Sequence, residues 1–359
     1  MPDRKIPNLL GSVIIVFTLM TNAYSVLPGS SAGGDIWISD IIATALATLF
    51  VFFLTLVCDR FHDETFYGVL EKTSGKAGAK IFAFLFFVIT VTTATVSLTV
   101  FSRFVQQTAL PLTPPYILPI LITAVSAFAI RSGGRSISGS ARFLSLFGIA
   151  VFFLFAIPGF FGVMPEVFLP FYESADKILP ASGEIFLNRF LGLVPLLAIY
   201  TRMENTKTRK RHFITATALS GAAMTVISFV VVGGLGKNLA SRDFYPTFTA
   251  MSSHGAFGFI RHTEIFASIT MTVCIFFKCA VTLMFICDMT EGALNIKNGK
   301  RLAFPYALIL GALTQVIYSD VSKLRHLTEW KSTATVAVLG VMSLSVFLCI
   351  LSKLRKTFT

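Results

Sequence analysis

The sequence predicts an all-α integral membrane protein with about ten transmembrane helices, and its composition carries the prediction. Of 359 residues, 54% are hydrophobic, 37 are phenylalanine and only 13% are charged. Soluble domains usually carry about a quarter charged residues. The mean hydropathy of +0.76 points the same way, and a large soluble helical protein is the disfavoured alternative.

Ten apolar segments approach or exceed the roughly 20 residues that a helix needs to span a bilayer. They form a single transmembrane domain over residues 1–359, with two five-helix halves expected at about 8–163 and 186–352. The sixth segment is interrupted by Gly192 and Pro195. The predicted spans are 8–29, 37–58, 80–108, 115–131, 141–163, 186–203, 212–236, 262–289, 303–320 and 333–352.

The net charge of +12 fits the excess of Lys and Arg in cytoplasmic loops of membrane proteins. With the N-terminus inside, twenty of the thirty basic residues fall on inside segments and nine outside. The first two outside loops, 29–36 and 109–114, contain none. Both termini are therefore expected in the cytoplasm, and nucleic acid is not an expected partner. A cleaved signal peptide that begins with Arg4 and Lys5 and is cut near Ser30-Ser31-Ala32 is the alternative, but removal of the first span would reverse this bias.

Signatures of enzymes and metal sites are not found in the sequence. The five cysteines form no C-x-x-C pair, and the five histidines are scattered over loops and helix ends. No P-loop, H-E-x-x-H or G-x-S-x-G pattern occurs. We therefore expect neither an enzyme nor a bound cofactor or metal, with an intramembrane enzyme as the remaining alternative.

Two predicted spans contain breaks, which matter because irregular backbone inside a membrane must be enclosed by protein or by a water-filled cavity. If the chain has two five-helix halves, the breaks lie in the leading helix of each, as in inverted-repeat transporters. Freed backbone groups there could bind a small polar ligand, and helix N-termini favour a carboxylate. An ordinary kink is the alternative. The residues at the breaks are Thr21, Asn22, Ala23, Tyr24, Ser25, Gly192 and Pro195.

Lys278 lies near the middle of the eighth span, where a charge costs at least about 2.5 kcal/mol. Glu264 and Asp288 are 14 and 10 residues away, or roughly 21 and 15 Å along a helix. Neither can be its direct partner, so the amine must meet other helices, a ligand carboxylate or water. Snorkelling to the surface is the alternative.

Polar residues of the first and third spans could line the same cavity as Lys278. For the third span, the competing interpretation is that each hydroxyl bonds to its own helix backbone. The third-span candidates are Thr92, Thr93, Thr95, Ser97, Gln106 and Gln107; Thr93 is included in the predicted ligand site.

Several separated strings, read together, resemble the spore germination B-subunit family, the permease-like subunits of GerA-type germinant receptors. They include Leu27-Pro28 followed by Gly34-Asp35-Ile36-Trp37, and Leu169-Pro170 before the sixth span. Further strings are Arg131 with the Gly-rich segment up to Arg142, and Phe244-Tyr245-Pro246-Thr247 followed by Phe259 to Glu264 and then Lys278. The resemblance covers nearly the whole chain.

The resemblance implies a fold and a role. Family members are similar to amino acid, polyamine and organocation transporters, which implies a LeuT-like inverted repeat of five plus five helices with helices one and six interrupted. It also implies a membrane subunit that recognises a small germinant, commonly an amino acid, in the spore inner membrane. The implied partners are membrane lipid, a larger A-type subunit and a lipoprotein C-type subunit. A secondary amino acid transporter with the same fold is the alternative.

Two features differ from the family pattern. The sixth span often carries a Glu after its break, whereas Pro195 is followed here by Leu196-Leu197-Ala198. The first span has Thr21-Asn22-Ala23 where transporter relatives have a cluster of glycines. The ligand can therefore differ from that of better-known members.

Overall fold

A computed structural model describes residues 5–24, 27–61, 64–108, 110–169, 172, 175–253, 264–296 and 298–318. These residues are mostly helical and include no β-strand, only an isolated bridge between Ile6 and Met203. The all-α prediction is thus confirmed for this part of the chain. The tenth predicted span, 333–352, and Ser25 of the predicted site lie outside the described residues.

Twelve α-helices are found in the described residues, joined by short 3₁₀ helices. Five are long and apolar enough to cross a membrane: α2, α3, α5, α8 and α11. The helices are α1 (Asn8–Met20), α2 (Ile36–Cys58), α3 (Phe66–Thr108), α4 (Ile117–Arg131), α5 (Gly134–Phe161), α6 (Ala175–Phe190), α7 (Leu197–Tyr200), α8 (Thr206–Leu235), α9 (Lys237–Arg242), α10 (Pro246–Ser253), α11 (Glu264–Leu294) and α12 (Ala303–Tyr318).

The sixth span is broken as predicted, but its predicted bounds of 186–203 are wrong. The helix before the break, α6, begins at Ala175 and contains four charged residues. These charges lower its hydropathy, so the sequence prediction left out its first eleven residues. Its apolar side is nevertheless buried, with Ile178 and Ile185 among the core residues. The helix that leads into the second break therefore starts at 175.

Two further differences from the predicted spans concern α3 and the segment after α8. Helix α3 starts at Phe66 rather than 80, because about two and a half amphipathic turns precede a kink at Gly75, where φ is +77°. A glycine adopts this left-handed backbone conformation without the strain that a side chain would cause. The short helices α9 and α10, between the seventh and eighth spans, were not predicted.

The helices pack as two groups. In the first helix group, α8 packs along α1 and α2, and α2 packs along α6. In the second helix group, α11 packs along α3 and α4, and α12 packs along the same two helices. Helix α1 also contacts α11, which joins the groups. The buried side chains of both groups form one continuous hydrophobic core.

Polar contacts tie the chain together at one end of the bundle, which we call the N-terminal face. The backbone N–H of Ile6 donates to the carbonyl of Arg202 at 2.8 Å, and Glu204 N–H donates to Ile6 at 2.9 Å. The Arg202 guanidinium makes two bonds to the Asp288 carboxylate, at 2.6 and 2.7 Å. The beginning of α1 is thereby held to the segment after α7, which is itself held to α11.

Large apolar side chains cover the outside of the bundle. Helix α5 is the clearest case, since Phe143 and Phe161 are each 82% exposed and Leu146 is 76% exposed. Monomeric soluble proteins rarely expose contiguous apolar surface on this scale. The outer surface is therefore suited to hydrocarbon, in agreement with the predicted membrane class.

Candidate functional site

The first helix ends in a break at the depth of the bundle's core. Helix α1 stops at Met20, and Thr21–Tyr24 continue as a 3₁₀ helix. The Ala23 carbonyl accepts a 2.7 Å hydrogen bond from the hydroxyl of Thr247 in α10. Tertiary bonds of this kind replace the helical bonds that the break removes.

The sixth span breaks in a similar way between α6 and α7. Leu191–Leu193 form a 3₁₀ helix, and a turn over 194–196 leads into α7. Pro195 contributes to the break because it has no backbone N–H to donate. At Gly192, a Cβ atom would contact nothing within 4 Å, so the backbone there faces open space.

That open space is a cavity between the two breaks, α3 and α11. Its volume is about 40 Å³, counted as room for the centre of a water-sized sphere. One water molecule needs about 10–15 Å³ by this measure, so several fit. The lining residues are Thr21, Asn22, Thr93, Val96, Ser97, Val100, Leu187, Asn188, Leu191, Gly192, Met271 and Lys278.

Of the cavity-lining residues that the structure describes, only Lys278 is charged. It is 6% exposed, and its Nζ donates to Oδ1 of Asn22 at 2.9 Å and to Oγ of Ser97 at 2.5 Å. Within the described residues, no carboxylate lies within ion-pair distance of it. The ammonium is thus stabilised by neutral oxygen atoms from two other helices.

Asn22 connects Lys278 to the broken sixth span. While its Oδ1 accepts from Lys278, its Nδ2 donates to the backbone carbonyl of Asn188 at 2.6 Å. The side-chain amide therefore bridges the end of α6 and the middle of α11. A change at Lys278 can reach both helix groups through this one residue.

The structure brings together most of the sequence-predicted site residues. Thr21, Asn22, Thr93, Gly192 and Lys278 line the cavity. Ala23 uses its carbonyl for Thr247 instead, Tyr24 closes the 3₁₀ turn, and Pro195 shapes the break without lining the cavity. Their roles in binding a ligand stay predictions.

The third-span threonines mostly follow the simpler interpretation. Thr92 and Thr95 donate to carbonyls of their own helix, Val88 and Val91. Ser97 does the same to Thr93 at 3.0 Å but also accepts from Lys278. Ser97 thus belongs to the site, and its position one turn after Thr93 on the same face could have indicated this.

A buried ion pair was missed by the sequence reasoning, which placed Arg189 in an outside segment. Arg189 lies in the last turn of α6, 3% exposed, and forms an ion pair with Asp40 of α2, 1% exposed. Its other terminal nitrogen donates to the hydroxyl of Ser228 in α8 at 2.8 Å. The available signal was Asp40 itself, a carboxylate inside a predicted span.

Comparisons with known proteins find similarity to proteins of spore germination. A sequence model of the family described as "Spore germination protein" matches residues 5–322. The chain is also 24% identical over 326 residues to Spore germination protein KB of Bacillus subtilis (strain 168), covering 88% of this chain and 85% of that protein. The family match includes both interrupted helices and Lys278.

Proposed function

Because this chain belongs to the spore germination protein family, we propose that it is the membrane-embedded B subunit of a germinant receptor. It recognises a small polar germinant, an amino acid, and triggers germination. The family assignment confirms the resemblance seen in the sequence. The observation that carries the proposal is the cavity at two broken helices, which holds a buried Lys278 with no carboxylate partner among the described residues.

The walls of the cavity explain how binding could act as a signal. Asn22 and Asn188 belong to the first helix group and its breaks, whereas Ser97 and Lys278 belong to the second. A ligand in contact with both favours one relative position of the two groups. Binding shifts the receptor toward a signalling state only if it favours one conformation over another.

For the fold, the proposal is a LeuT-like inverted repeat of five plus five helices. The breaks after α1 and after α6 support it, because each lies in the leading helix of one half. The first half covers about 8–163, and the second begins at α6. The tenth span, 333–352, completes this arrangement.

The subunit assembles in the spore inner membrane, with both termini in the cytoplasm. Its partners are an A-type subunit and a lipoprotein C-type subunit. The similarity to Spore germination protein KB supports a germination complex, and the apolar outer surface of α5 suits lipid or a membrane partner. No catalysis by this chain is part of the proposal.

A secondary amino acid transporter is the second candidate, favoured by the break in each half. Uptake of labelled amino acids into proteoliposomes that contain the purified chain separates the two functions. Concentrative uptake by the chain alone would contradict the receptor role. Binding without uptake is expected of a receptor subunit.

The central test replaces Lys278 with Met in the spore-forming host. We expect the germination response to be lost while the protein remains in the membrane, because Met fills a similar volume without the charge. Lys207→Met, at an exposed site near the start of α8, is the matched control and should respond normally. An unchanged response and concentration dependence of Lys278→Met would place the site elsewhere. Loss of the protein itself would assign Lys278 a folding role.

A further inference from the structure

The charge balance of the cavity restricts the ligand more narrowly than the proposed function does. The described side chains that line it include one cation, Lys278, and no carboxylate. We propose that the ligand is a compact carboxylate whose charge is recognised by Lys278, and that an amino group on the ligand is dispensable. This inference rests on the proposed function and names the chemical class that the site selects.

Lys278 has the donor capacity to bind such a ligand. An ammonium group has three N–H donors, and its contacts to Asn22 and Ser97 account for two. Both acceptors are neutral, so the positive charge is solvated but not balanced. A ligand carboxylate would add the opposite charge to the hydrogen bond, and this Coulomb attraction is what the neutral acceptors do not supply.

An amino group on the ligand would be bound less selectively than its carboxylate. Its possible acceptors in the lining are neutral oxygen atoms, such as the hydroxyls of Thr21 and Thr93 and the carbonyl of Asn188. Neutral acceptors can accept from a hydroxyl group as well as from an ammonium group, and no described lining side chain adds the negative charge that would select the ammonium. The site therefore distinguishes a carboxylate from its uncharged analogue, but not a 2-amino acid from a 2-hydroxy acid.

The rest of the cavity fixes the orientation and the size of the ligand. Helices α3 and α11 run antiparallel, because Phe66 contacts both Phe86 and Phe285 while Ser97 contacts Lys278. Moving from Lys278 away from the N-terminal face leads to three apolar lining residues, which lie beside the polar Asn188 of α6. These are Met271, two turns or roughly 10 Å along α11, Val100 on α3 and Leu187 on α6.

The cavity thus has a charged end and an apolar end. A ligand that fits both has its carboxylate at Lys278 and a short aliphatic substituent directed toward Leu187, Val100 and Met271. The volume of about 40 Å³ allows a few heavy atoms without movement of the walls. Small acids such as alanine and lactate therefore match the cavity in charge, polarity and size.

The test measures binding to the purified full-length chain in lipid nanodiscs, with labelled L-alanine and unlabelled competitors. L-Lactate should compete within about threefold of L-alanine. L-Alaninamide, which lacks the carboxylate, should be about 10- to 100-fold weaker. Lys278→Gln should bind alanine and alaninamide equally, while Lys207→Gln keeps the discrimination.

A second variant supplies the carboxylate from within the protein. Asn22→Asp places an acidic group on the Lys278 ammonium, where it competes with the ligand. We expect about tenfold or greater loss of alanine affinity with an unchanged unfolding midpoint. If Asn22→Asp destabilises the chain, the Lys278→Gln comparison still decides the proposal.

Each outcome separates this inference from the proposed function. Equal binding of alanine and alaninamide to the wild type overturns carboxylate recognition and leaves germinant binding intact. Loss of lactate binding with retention of alanine binding overturns the dispensable amine. If none of formate, acetate, lactate or alanine binds, the ligand class is wrong, whereas the germination response of Lys278→Met tests the receptor role separately.

Discussion

Arg189 and Lys278 are both buried cations in helices of the bundle, but in the part of the chain that the structure describes only Arg189 has a carboxylate partner. Arg189 forms an ion pair with Asp40. Lys278 is held by the neutral side chains of Asn22 and Ser97 and faces a cavity. Burial of a charge has a similar cost at both places, so the difference lies in what the charge is used for.

The comparison fits a structural role for Arg189 and the ligand-binding role that we propose for Lys278. An internal ion pair leaves no charge for a ligand, and Arg189 joins three helices of the first group through Asp40 and Ser228. A charge that is solvated without a counter-ion has binding energy left for an anion. Arg189 also lies next to Asn188, whose carbonyl holds Asn22. The structural pair therefore positions part of the functional site.

The largest expected effect comes from breaking the Arg189–Asp40 pair. Either Arg189→Met or Asp40→Leu leaves one buried charge without its partner, which costs about 3–5 kcal/mol. The double variant should regain most of this loss, because an apolar pair replaces the ion pair. Reversible titration of the purified protein with SDS in mixed micelles measures the free energy of unfolding for this cycle.

Additive losses in the double variant would contradict the structural role of Arg189. They would mean that each charge has its own function, and the contrast with Lys278 would disappear. A matched control is the exposed pair Lys72–Glu64, with an N–O distance of 2.7 Å. Its removal should change stability by less than about 1 kcal/mol.

A smaller effect is expected from Ser228→Ala. The Arg189 guanidinium then loses a 2.8 Å acceptor in a buried position, which costs about 1–3 kcal/mol. Ser220→Ala is the control on the same helix, because Ser220 is buried but donates to its own helix carbonyl at Thr217. The same SDS titration should show a clear loss for Ser228→Ala and less than about 1 kcal/mol for the control.

The sequence was sufficient for the helical class and for the position of both breaks. Hydropathy finds α2 or α8 because their apolar residues are continuous. It misjudges α6, where Asp176, Lys177 and Arg189 interrupt the apolar pattern although one side of the helix is buried. Such a helix can be identified from the helices that it packs against. A single sequence does not show this packing.

The candidate site was also predictable only in part, because contacts between helices are not visible in a single sequence. Lys278 stands out because a charge in an apolar span requires an explanation, and Asn22 lies in a visible break. Asn188 contributes only a backbone carbonyl, and every residue has one. Ser97 looks like any other membrane serine until Lys278 is placed next to it. Side-chain identity predicts the charged parts of a site better than its neutral acceptors.

The smallest stability effect is expected from Ser97→Ala at the functional cation. Lys278 keeps Asn22 and can replace the lost hydroxyl with cavity water, so the free energy of unfolding should change by less than about 1 kcal/mol. Thr99→Val, a buried residue of α3 that donates to its own helix at Thr95, provides the reference. The two variants should be equally stable, and only Ser97→Ala should alter alanine binding. If Ser97→Ala costs as much as Ser228→Ala, Lys278 is held as firmly as Arg189. Its charge would then serve the fold rather than a ligand.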